Sequence, residues 1–230
     1  MTEPLRVLVV GCGNMGRSHA LAYQQLDDFA LCGLVARGES KQRLNATLAT
    51  PVPLFDELKT AIAETQPDAV CIATWPDSHE TLALTALAAG CHVFIEKPLA
   101  TTVTGAKRLV ATAQLAGKKL MVGYILRHHP AWQQFIARAQ TLGKPLVMRM
   151  NLNQQSDGSA WQTHRQLMRS LSPIVDCGVH YLDVMCQMTQ AEPLSVSAIG
   201  ARLSDEIGTG QYNYGQLQVP DDLRYVQAVK

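Results

Sequence analysis

The chain lacks any long apolar run and carries almost no net charge. Its 20 lysines and arginines face 19 aspartates and glutamates, for a net charge of +1, and only 17% of its residues are charged. A membrane-spanning helix needs about 18 consecutive apolar residues, and every apolar stretch here is interrupted earlier. The charge balance argues against binding to nucleic acid through a basic field. The hydrophobic fraction of 47% excludes a disordered chain.

Signals for secretion and for metal binding are also missing. The segment Met1-Thr2-Glu3-Pro4-Leu5 has no basic start and no apolar core of a signal peptide. The six cysteines form no Cys-x-x-Cys pair, so we interpret them as reduced, small hydrophobic residues and expect no metal site. These features predict a compact cytoplasmic protein of one or two domains.

Apolar runs alternate with helical segments through the first half. Strand-like runs followed by helices of 10–15 residues are typical of βαβ units, and they predict an α/β fold with a doubly wound parallel sheet, the Rossmann arrangement. The predicted strands are Leu5–Val10, Phe29–Ala36, Ala69–Ala73, His92–Ile95 and Leu120–Val122. The predicted helices are Met15–Leu26, Lys41–Ala49, Asp56–Glu64, His79–Ala89 and Val103–Ala116.

The pattern changes after Gly123, where strands no longer alternate with helices. We predict strands over Leu146–Asn153, Leu194–Leu203 and Tyr212–Val219, and one apolar helix over Pro173–Met188 with proline in its first turn. The prediction is therefore a Rossmann domain over residues 1–123 and an α+β domain with a mainly antiparallel sheet over residues 124–230.

A glycine motif follows the first predicted strand directly. Residues 11–16 read Gly11-Cys12-Gly13-Asn14-Met15-Gly16 and open the first predicted helix. In this context Gly11 permits a tight turn, Gly13 lets a pyrophosphate approach the backbone, and Gly16 lets helix and strand pack closely. The helix N-terminus offers free N–H groups to the phosphates. We therefore predict a dinucleotide site formed by these six residues; an ordinary glycine-rich turn is the alternative.

The second predicted strand ends without the acidic residue that usually binds the adenosine ribose. Arg37 stands there instead, followed by Gly38-Glu39-Ser40. A guanidinium can pair with a 2′-phosphate, which a carboxylate would repel. This favours NADP(H), with Arg37 and Ser40 as contacts. NAD(H) stays open because Glu39 lies nearby.

Three further segments carry a family resemblance. They are Thr74-Trp75-Pro76-Asp77-Ser78-His79, Glu96-Lys97-Pro98, and Asp176-Cys177-Gly178-Val179-His180. With the glycine motif, in this order and spacing, they resemble the glucose–fructose oxidoreductase, inositol dehydrogenase and rhizopine-catabolism (Gfo/Idh/MocA) family. The resemblance covers roughly residues 5–200.

The chemistry of the last two segments can be considered without the family name. Lys97 is predicted at the carboxyl end of a parallel strand, the edge at which such sheets bind ligands. Asp176 and His180 are four residues apart and share one helix face, where the carboxylate can orient the imidazole for proton transfer. Asp183 falls on the same face. The alternatives are a surface pair for Glu96 and Lys97 and a buried structural role for His180.

The resemblance implies reversible hydride transfer between nicotinamide C4 and a carbon bearing a hydroxyl, in a sugar, cyclitol or related molecule. His180 would take the hydroxyl proton, Lys97 would hydrogen-bond the reacting oxygen, and Asp176 would position both. It implies cofactor contacts from Thr74, Trp75, Pro76, His79, Glu96 and Lys97. Residues 1–123 would be the dinucleotide-binding domain, and residues 124–230, an incomplete α+β domain in this chain, would serve substrate binding and oligomerisation. Substrate contacts are expected from Tyr124, Arg127 and His180, and less strongly from His128 and His129. His19 and His92 are interpreted as structural.

Two departures from the family leave other functions open. The stretch Ser170–Val175 lacks the usual glycines, and family members generally exceed 300 residues, which suggests a shortened form. A non-catalytic nucleotide-binding regulator or an inactive remnant is therefore the first alternative, and a Rossmann domain for another nucleotide the second. Association through the sheet of the second domain is the expected oligomeric contact, with no nucleic acid or membrane partner.

Overall fold

The computed structural model describes residues 3–143, 146, 148–152, 156–191 and 193–219. The chain divides after Gly123 into two compact units. Among the described residues, no helix has both the length and the apolar character needed to cross a membrane.

The first unit is built on a six-stranded parallel sheet. Its strands are β1 (Leu5–Val10), β2 (Phe29–Val35), β3 (Leu54–Phe55), β4 (Ala69–Ile72), β5 (His92–Ile95) and β6 (Leu120–Val122), in the order β3-β2-β1-β4-β5-β6. The order reverses between β1 and β4, and ligands bind at such switch points in open α/β sheets.

Residues on both faces of β1 are buried from Val7 onward, which explains why this strand is apolar apart from Arg6. Leu8 and Val10 of β1 belong to one core cluster, and Val7 and Val9 to another on the opposite face. Five helices connect the strands: α1 (Asn14–Gln25), α2 (Ser40–Asn45), α3 (Leu58–Thr65), α4 (His79–Ala88) and α5 (Val103–Leu115). The α/β doubly wound fold predicted from the sequence is confirmed. The two-residue β3 was not predicted.

The described residues of the second unit form three α-helices and a small antiparallel sheet. The helices are α6 (Pro130–Gln140), α7 (Gly158–Leu167) and α8 (Val179–Thr189), and the strands are β7 (Ser197–Ala201) and β8 (Tyr214–Gln218). Ile136 and Ala139 of α6 pack with Val184 and Met188 of α8. The antiparallel pairing agrees with the prediction, whereas α6 and α7 were not predicted.

Two predictions for the second unit need correction. The prediction of a strand over Leu146–Asn153 is wrong for residues 146 and 148–152, while 147 and 153 lie outside the described residues. The alternation there has another cause, since Met148 and Met150 pack on the α6–α8 cluster without a strand ladder. The single α-helix predicted over Pro173–Met188 is interrupted, because Ile174–Gly178 form a π-helical turn that leads into α8.

Candidate functional site

The glycine turn, formed by residues 11–16, joins β1 to α1 at the switch point between β1 and β4. Gly11 has a φ of +95°, and a Cβ built on it would lie 2.3 Å from the carbonyl oxygen of Ala73. A Cβ on Gly16 would lie 1.7 Å from the Gly11 carbonyl oxygen, so Gly16, in the first turn of α1, packs directly against the backbone of Gly11. Neither position can hold a side chain without movement of the backbone.

The middle of the same turn is open. A Cβ on Gly13 would meet no atom within 4 Å, and Gly13, Asn14 and Met15 are all exposed. Within the part of the chain that the structure describes, no side chain caps the first turn of α1, and this turn contains no acidic residue. Its free N–H groups and the positive end of the helix dipole therefore face open space, an arrangement that suits a phosphate group. Cys12 is buried, and this burial raises the pKa of its thiol to about 11.

The loop after β2 is held by a buried lysine. The ammonium of Lys41, which is 5% exposed, donates to the carbonyl oxygens of Ala36 at 2.9 Å and Gly38 at 3.1 Å. It also donates to the Asp56 carboxylate at 2.6 Å. These bonds fix the backbone on both sides of Arg37, whose side chain is exposed.

The other groups of this loop are close to the surface. Glu39 is paired with Arg43 at 3.4 Å, and both side chains are highly exposed. Ser40 begins α2 and is partly exposed. The loop thus presents the guanidinium of Arg37 and the hydroxyl of Ser40 to solvent, while its acidic residue already has a basic neighbour.

The segment after β4 lies beside the glycine turn. The Thr74 hydroxyl is 2.7 Å from the Ser78 hydroxyl, and the Thr74 methyl group would lie 2.9 Å from a Cβ on Gly11. Pro76 is buried, whereas Trp75 is 50% exposed and presents its indole to solvent. Of these residues, Thr74 and Trp75 are accessible to a ligand.

Glu96, predicted as a cofactor contact, directly follows β5 and is largely enclosed. Its side chain is 9% exposed, and its Oε1 lies 2.7 Å from Nε2 of His19 on α1. A Cβ on Gly123, at the end of β6, would lie 3.2 Å from the same carboxylate. The carboxylate is therefore enclosed between α1 and the end of the sheet, and its hydrogen-bond partner is a histidine that we interpreted as merely structural.

His79, predicted as a cofactor contact, has no exposed surface. Its Nδ1 lies 2.7 Å from the carbonyl oxygen of Pro98 and its Nε2 lies 3.1 Å from that of Thr74. Burial lowers the pKa of this histidine, against the effect of the two carbonyls. The ring thus joins the segment after β4 to the segment after β5. Lys97 lies between Glu96 and Pro98, each of which contacts a histidine, and it is partly exposed at the carboxyl edge of the sheet.

In the second unit, Asp176 lies in the π-helical turn and His180 in the first turn of α8, both partly buried. The turn packs on β8, since a Cβ on Gly215 would lie 2.7 Å from the side chain of Ile174. Turns of this kind are frequent at functional sites. The ring of Tyr124 meets that of His180 edge-on, with 6.3 Å between the centroids.

Arg127, predicted as a substrate contact, is engaged within its own unit. Its guanidinium forms two hydrogen bonds with the carboxylate of Asp183, and its Cζ lies 5.2 Å from the centroid of the Tyr124 ring. Asp183 raises the pKa of Arg127, and burial raises that of Tyr124. His128 and His129 are exposed at the start of α6. Asp183 is thus an anchor for Arg127, one of the predicted substrate contacts.

Family models match both parts of the chain. A model of an oxidoreductase family with an NAD-binding Rossmann fold matches residues 5–124. A model of the GFO/IDH/MocA C-terminal domain matches residues 134–227. Together these matches confirm the resemblance that the motifs indicated.

Individual relatives agree with the family models. An inositol 2-dehydrogenase of Paracoccus denitrificans is 34% identical over 151 residues, which cover 63% of this chain and 44% of that protein. A UDP-N-acetylglucosamine 3-dehydrogenase of Acidithiobacillus ferrooxidans is 30% identical over 196 residues, or 85% of this chain and 58% of that protein. The chain spans about half the length of these relatives.

Solved structures show the same fold. GenD2 from gentamicin A biosynthesis, in complex with NAD, superposes with a TM-score of 0.76 at 22% identity, covering 95% of this chain and 63% of that one. The UDP-N-acetylglucosamine 3-dehydrogenase GnnA of Acidithiobacillus ferrooxidans superposes with a TM-score of 0.71 at 27% identity, covering 95% and 66%.

Proposed function

We propose that this chain, which belongs to the Gfo/Idh/MocA family of oxidoreductases, is a cytoplasmic NAD(P)-dependent dehydrogenase or reductase. It would transfer a hydride between nicotinamide C4 and a hydroxyl or carbonyl carbon of a sugar, cyclitol or related small molecule. The observation that carries this proposal is the common sheet edge in the first unit. There the open glycine turn and the Glu96-Lys97-Pro98 segment follow strands that lie on either side of β4.

The residues of the first unit fit a dinucleotide. Gly13 leaves room for a pyrophosphate against the backbone, and the uncapped first turn of α1 supplies N–H donors for it. Cys12, Asn14 and Met15 would line this contact, with Thr74 and Trp75 from the segment after β4. When bound, the nicotinamide supplies the acceptor or donor of the hydride.

The chain's own residues would handle the proton and the reacting oxygen. As the carbon of a substrate alcohol loses its hydride, its hydroxyl must lose a proton, and His180 would accept that proton on its imidazole. Lys97 would donate a hydrogen bond to the same oxygen and stabilise the negative charge that develops on it. Asp176 would orient the imidazole and stabilise its charged form.

We further propose a preference for NADP(H) over NAD(H). Arg37 is exposed on the loop after β2, whose backbone Lys41 holds by hydrogen bonds, and the nearby Glu39 is already paired with Arg43. A guanidinium in this position favours a 2′-phosphate, and the Ser40 hydroxyl could donate to the same group. The NAD complex of GenD2 is the precedent for the other choice.

The two units would have different roles. The first unit would bind the dinucleotide, while the second would bind substrate and carry the contact between copies of the chain. Support for that contact is the exposure of Ile199 on β7 and Tyr214 on β8, which are 68% and 46% exposed. Sedimentation of the purified chain tests it, and a strict monomer at micromolar concentration would refute it.

The first experiment is a titration of the purified chain with NADPH and NADH, followed by a screen of polyols and sugars for hydride transfer. We expect binding of both, tighter binding of NADPH, and turnover of at least one polyol. Arg37→Ala should lose roughly tenfold in NADPH affinity, the equivalent of one charge-assisted phosphate contact, and little in NADH affinity. Equal losses for both cofactors would refute the role of Arg37.

Lys97→Met tests the chemistry separately from binding. We expect turnover to fall by at least about a hundredfold, within the usual range for removal of a group that stabilises developing charge, while the NADPH affinity stays near that of the unchanged chain. If the unchanged chain binds the cofactor but oxidises no polyol or sugar, a nucleotide-binding regulator becomes the better interpretation.

A further inference from the structure

Two histidines hold the segment Glu96-Lys97-Pro98, one at each of its ends. On one side the Glu96 carboxylate meets Nε2 of His19 at 2.7 Å. On the other side the Pro98 carbonyl oxygen meets Nδ1 of His79 at 2.7 Å. The two histidines come from different helices, α1 and α4, so the position of Lys97 depends on two contacts that the sequence places far from it.

The His19 contact is the more unusual of the two, because it satisfies a buried carboxylate. The side chain of Glu96 is 9% exposed, and an enclosed carboxylate without a donor is costly. Gly123 lies against it from the end of β6, where a Cβ would approach within 3.2 Å. This leaves the carboxylate little room to turn, so the direction of the His19 N–H fixes the direction of the Glu96 side chain.

His19 is itself held in place by aromatic contacts. Its ring meets Phe94 of β5 at 4.8 Å between centroids, in an edge-on arrangement, and stacks with Tyr23 of α1 at 6.5 Å. His19 also lies one turn after Gly16, the residue through which α1 touches the glycine turn. The ring therefore connects the helix of the glycine turn to the residue that precedes Lys97.

We propose that His19 is a positioning residue: through its hydrogen bond to Glu96 it holds Lys97 in place relative to the glycine turn. The inference rests on the proposed function for its link to catalysis, but the mechanical part concerns only the first unit. His19 acts through Glu96 and does not itself contact a substrate. Glu96 correspondingly serves as the largely buried link between His19 and Lys97.

The test compares His19→Phe with His19→Gln in the full chain. Phenylalanine keeps a ring against Phe94 and Tyr23 but removes the N–H, whereas glutamine keeps an N–H donor that can reach the carboxylate. His92→Phe is the matched control, since His92 lies at the opposite end of the same strand, where it accepts a hydrogen bond from the Lys119 backbone N–H at 2.9 Å.

The first readout needs no activity. An amine-reactive reagent is applied briefly, and the labelling of each lysine is measured by mass spectrometry. We expect His19→Phe to change the labelling rate of Lys97 by about threefold or more, as for other residues coupled through contact, while exposed lysines such as Lys59 stay unchanged. His19→Gln should restore the rate for Lys97, and His92→Phe should leave it unchanged.

The second readout separates kcat from cofactor affinity. We expect His19→Phe to lower kcat by about tenfold or more, since a small misplacement of a catalytic group can cost about a hundredfold. Its dissociation constant for NADPH should stay within about threefold of the unchanged chain, because the open glycine turn is intact. His19→Gln should recover most of the loss in kcat.

A combined variant shows whether His19 acts through Glu96. In a Glu96→Leu background the group that accepts the His19 hydrogen bond is gone, so His19→Phe should add less than about twofold to either readout. An undiminished effect in that background overturns the proposal, as does Lys97 labelling in His19→Phe equal to that in His92→Phe.

If the unchanged chain shows no turnover, the proposed function fails, and the labelling readout alone still decides the role of His19. If His19→Phe does not fold, Glu96→Leu takes its place as the variant that removes the hydrogen bond, and Glu96→Gln takes the place of His19→Gln as the variant that can keep it.

Discussion

Gly11 and Ala73 approach each other so closely that no side chain fits between their strands. A Cβ on Gly11 would lie 2.3 Å from the Ala73 carbonyl oxygen, and the φ of +95° at Gly11 disfavours any other residue. This contact joins the ends of β1 and β4 at the switch point. The glycine is thus required by the fold itself, apart from any ligand.

Replacement of Gly11 by alanine should therefore destabilise the first unit. We expect a loss of roughly 2–5 kcal/mol, from overpacking against backbone and from the positive φ together. Gly117→Ala is the matched control, because its φ is +62° but no atom lies within 4 Å of the built Cβ. The control should lose only roughly 1–2 kcal/mol. Urea unfolding followed by circular dichroism measures both, and equal losses would contradict the close contact.

Gly13→Ala should behave in the opposite way. Its Cβ would meet nothing within 4 Å, so stability should fall by no more than about 1 kcal/mol, the usual range at a helix N-cap. The added methyl group would, however, occupy the space that we assign to the pyrophosphate. We expect NADPH affinity to fall by about tenfold or more, or about 1.4 kcal/mol. A titration that gave unchanged affinity would show that the phosphates do not bind there.

The sheet of the first unit was predictable because its strands are buried on both faces. β1 is apolar apart from Arg6 and lies between Pro4 and Gly11, and β4 is an unbroken apolar run after Asp68, so length and composition identify both strands. β3 has only two residues and leaves no such pattern. In the second unit, the alternation around Met148 and Met150 suggested a strand because packing on a helical cluster produces the same sequence pattern.

The candidate site was predictable in its residue types but not in its supporting contacts. Lys97, Asp176 and His180 stand in local motifs that a sequence displays. The partners of Glu96 and Arg127 are 77 and 56 residues away, and no local spacing indicates such pairs. The pairing of His19 with Glu96 and that of Asp183 with Arg127 therefore became recognisable only once the helices that carry His19 and Asp183 were placed.

The thiols should differ widely in their reactivity. Burial raises the pKa of Cys12 to about 11 and that of Cys71 to about 12, whereas Cys186 on α8 is exposed. At pH 8 a thiol with a pKa near 11 is about one part in a thousand thiolate, against about a quarter for an ordinary cysteine. Iodoacetamide should therefore label Cys186 at least about a hundredfold faster than Cys12 in the folded chain.

Two conditions check this interpretation of the thiols. In denaturant, where burial is lost, the two labelling rates should converge. In the folded chain, the Cys12 rate should increase about tenfold per pH unit up to its raised pKa, because the thiolate is the reactive form. Fast labelling of Cys12 at pH 8 would mean that the glycine turn opens readily, contrary to its close contacts with Ala73.

The ion pair of Arg127 and Asp183 should stabilise the second unit more than a surface pair can. The Asp183 side chain is only 10% exposed, so Arg127→Ala would leave a largely buried carboxylate that retains Gln187 as a donor at 2.8 Å. We expect a loss of roughly 1–3 kcal/mol, the usual penalty for leaving a buried polar group without its partner. Trp132 packs on the α6–α8 cluster and reports this unfolding by fluorescence.

A surface ion pair supplies the control for this measurement. Arg165 and Glu206 of the same unit are 47% and 62% exposed at 3.9 Å, so Arg165→Ala should change stability by no more than about 0.5 kcal/mol. The double variant Arg127→Ala/Asp183→Asn should recover part of the loss, because the stranded negative charge is then gone. If the double variant is no more stable than Arg127→Ala, burial of the Asp183 charge is not the cause of the loss, and Arg127 contributes mainly through its contact with the Tyr124 ring.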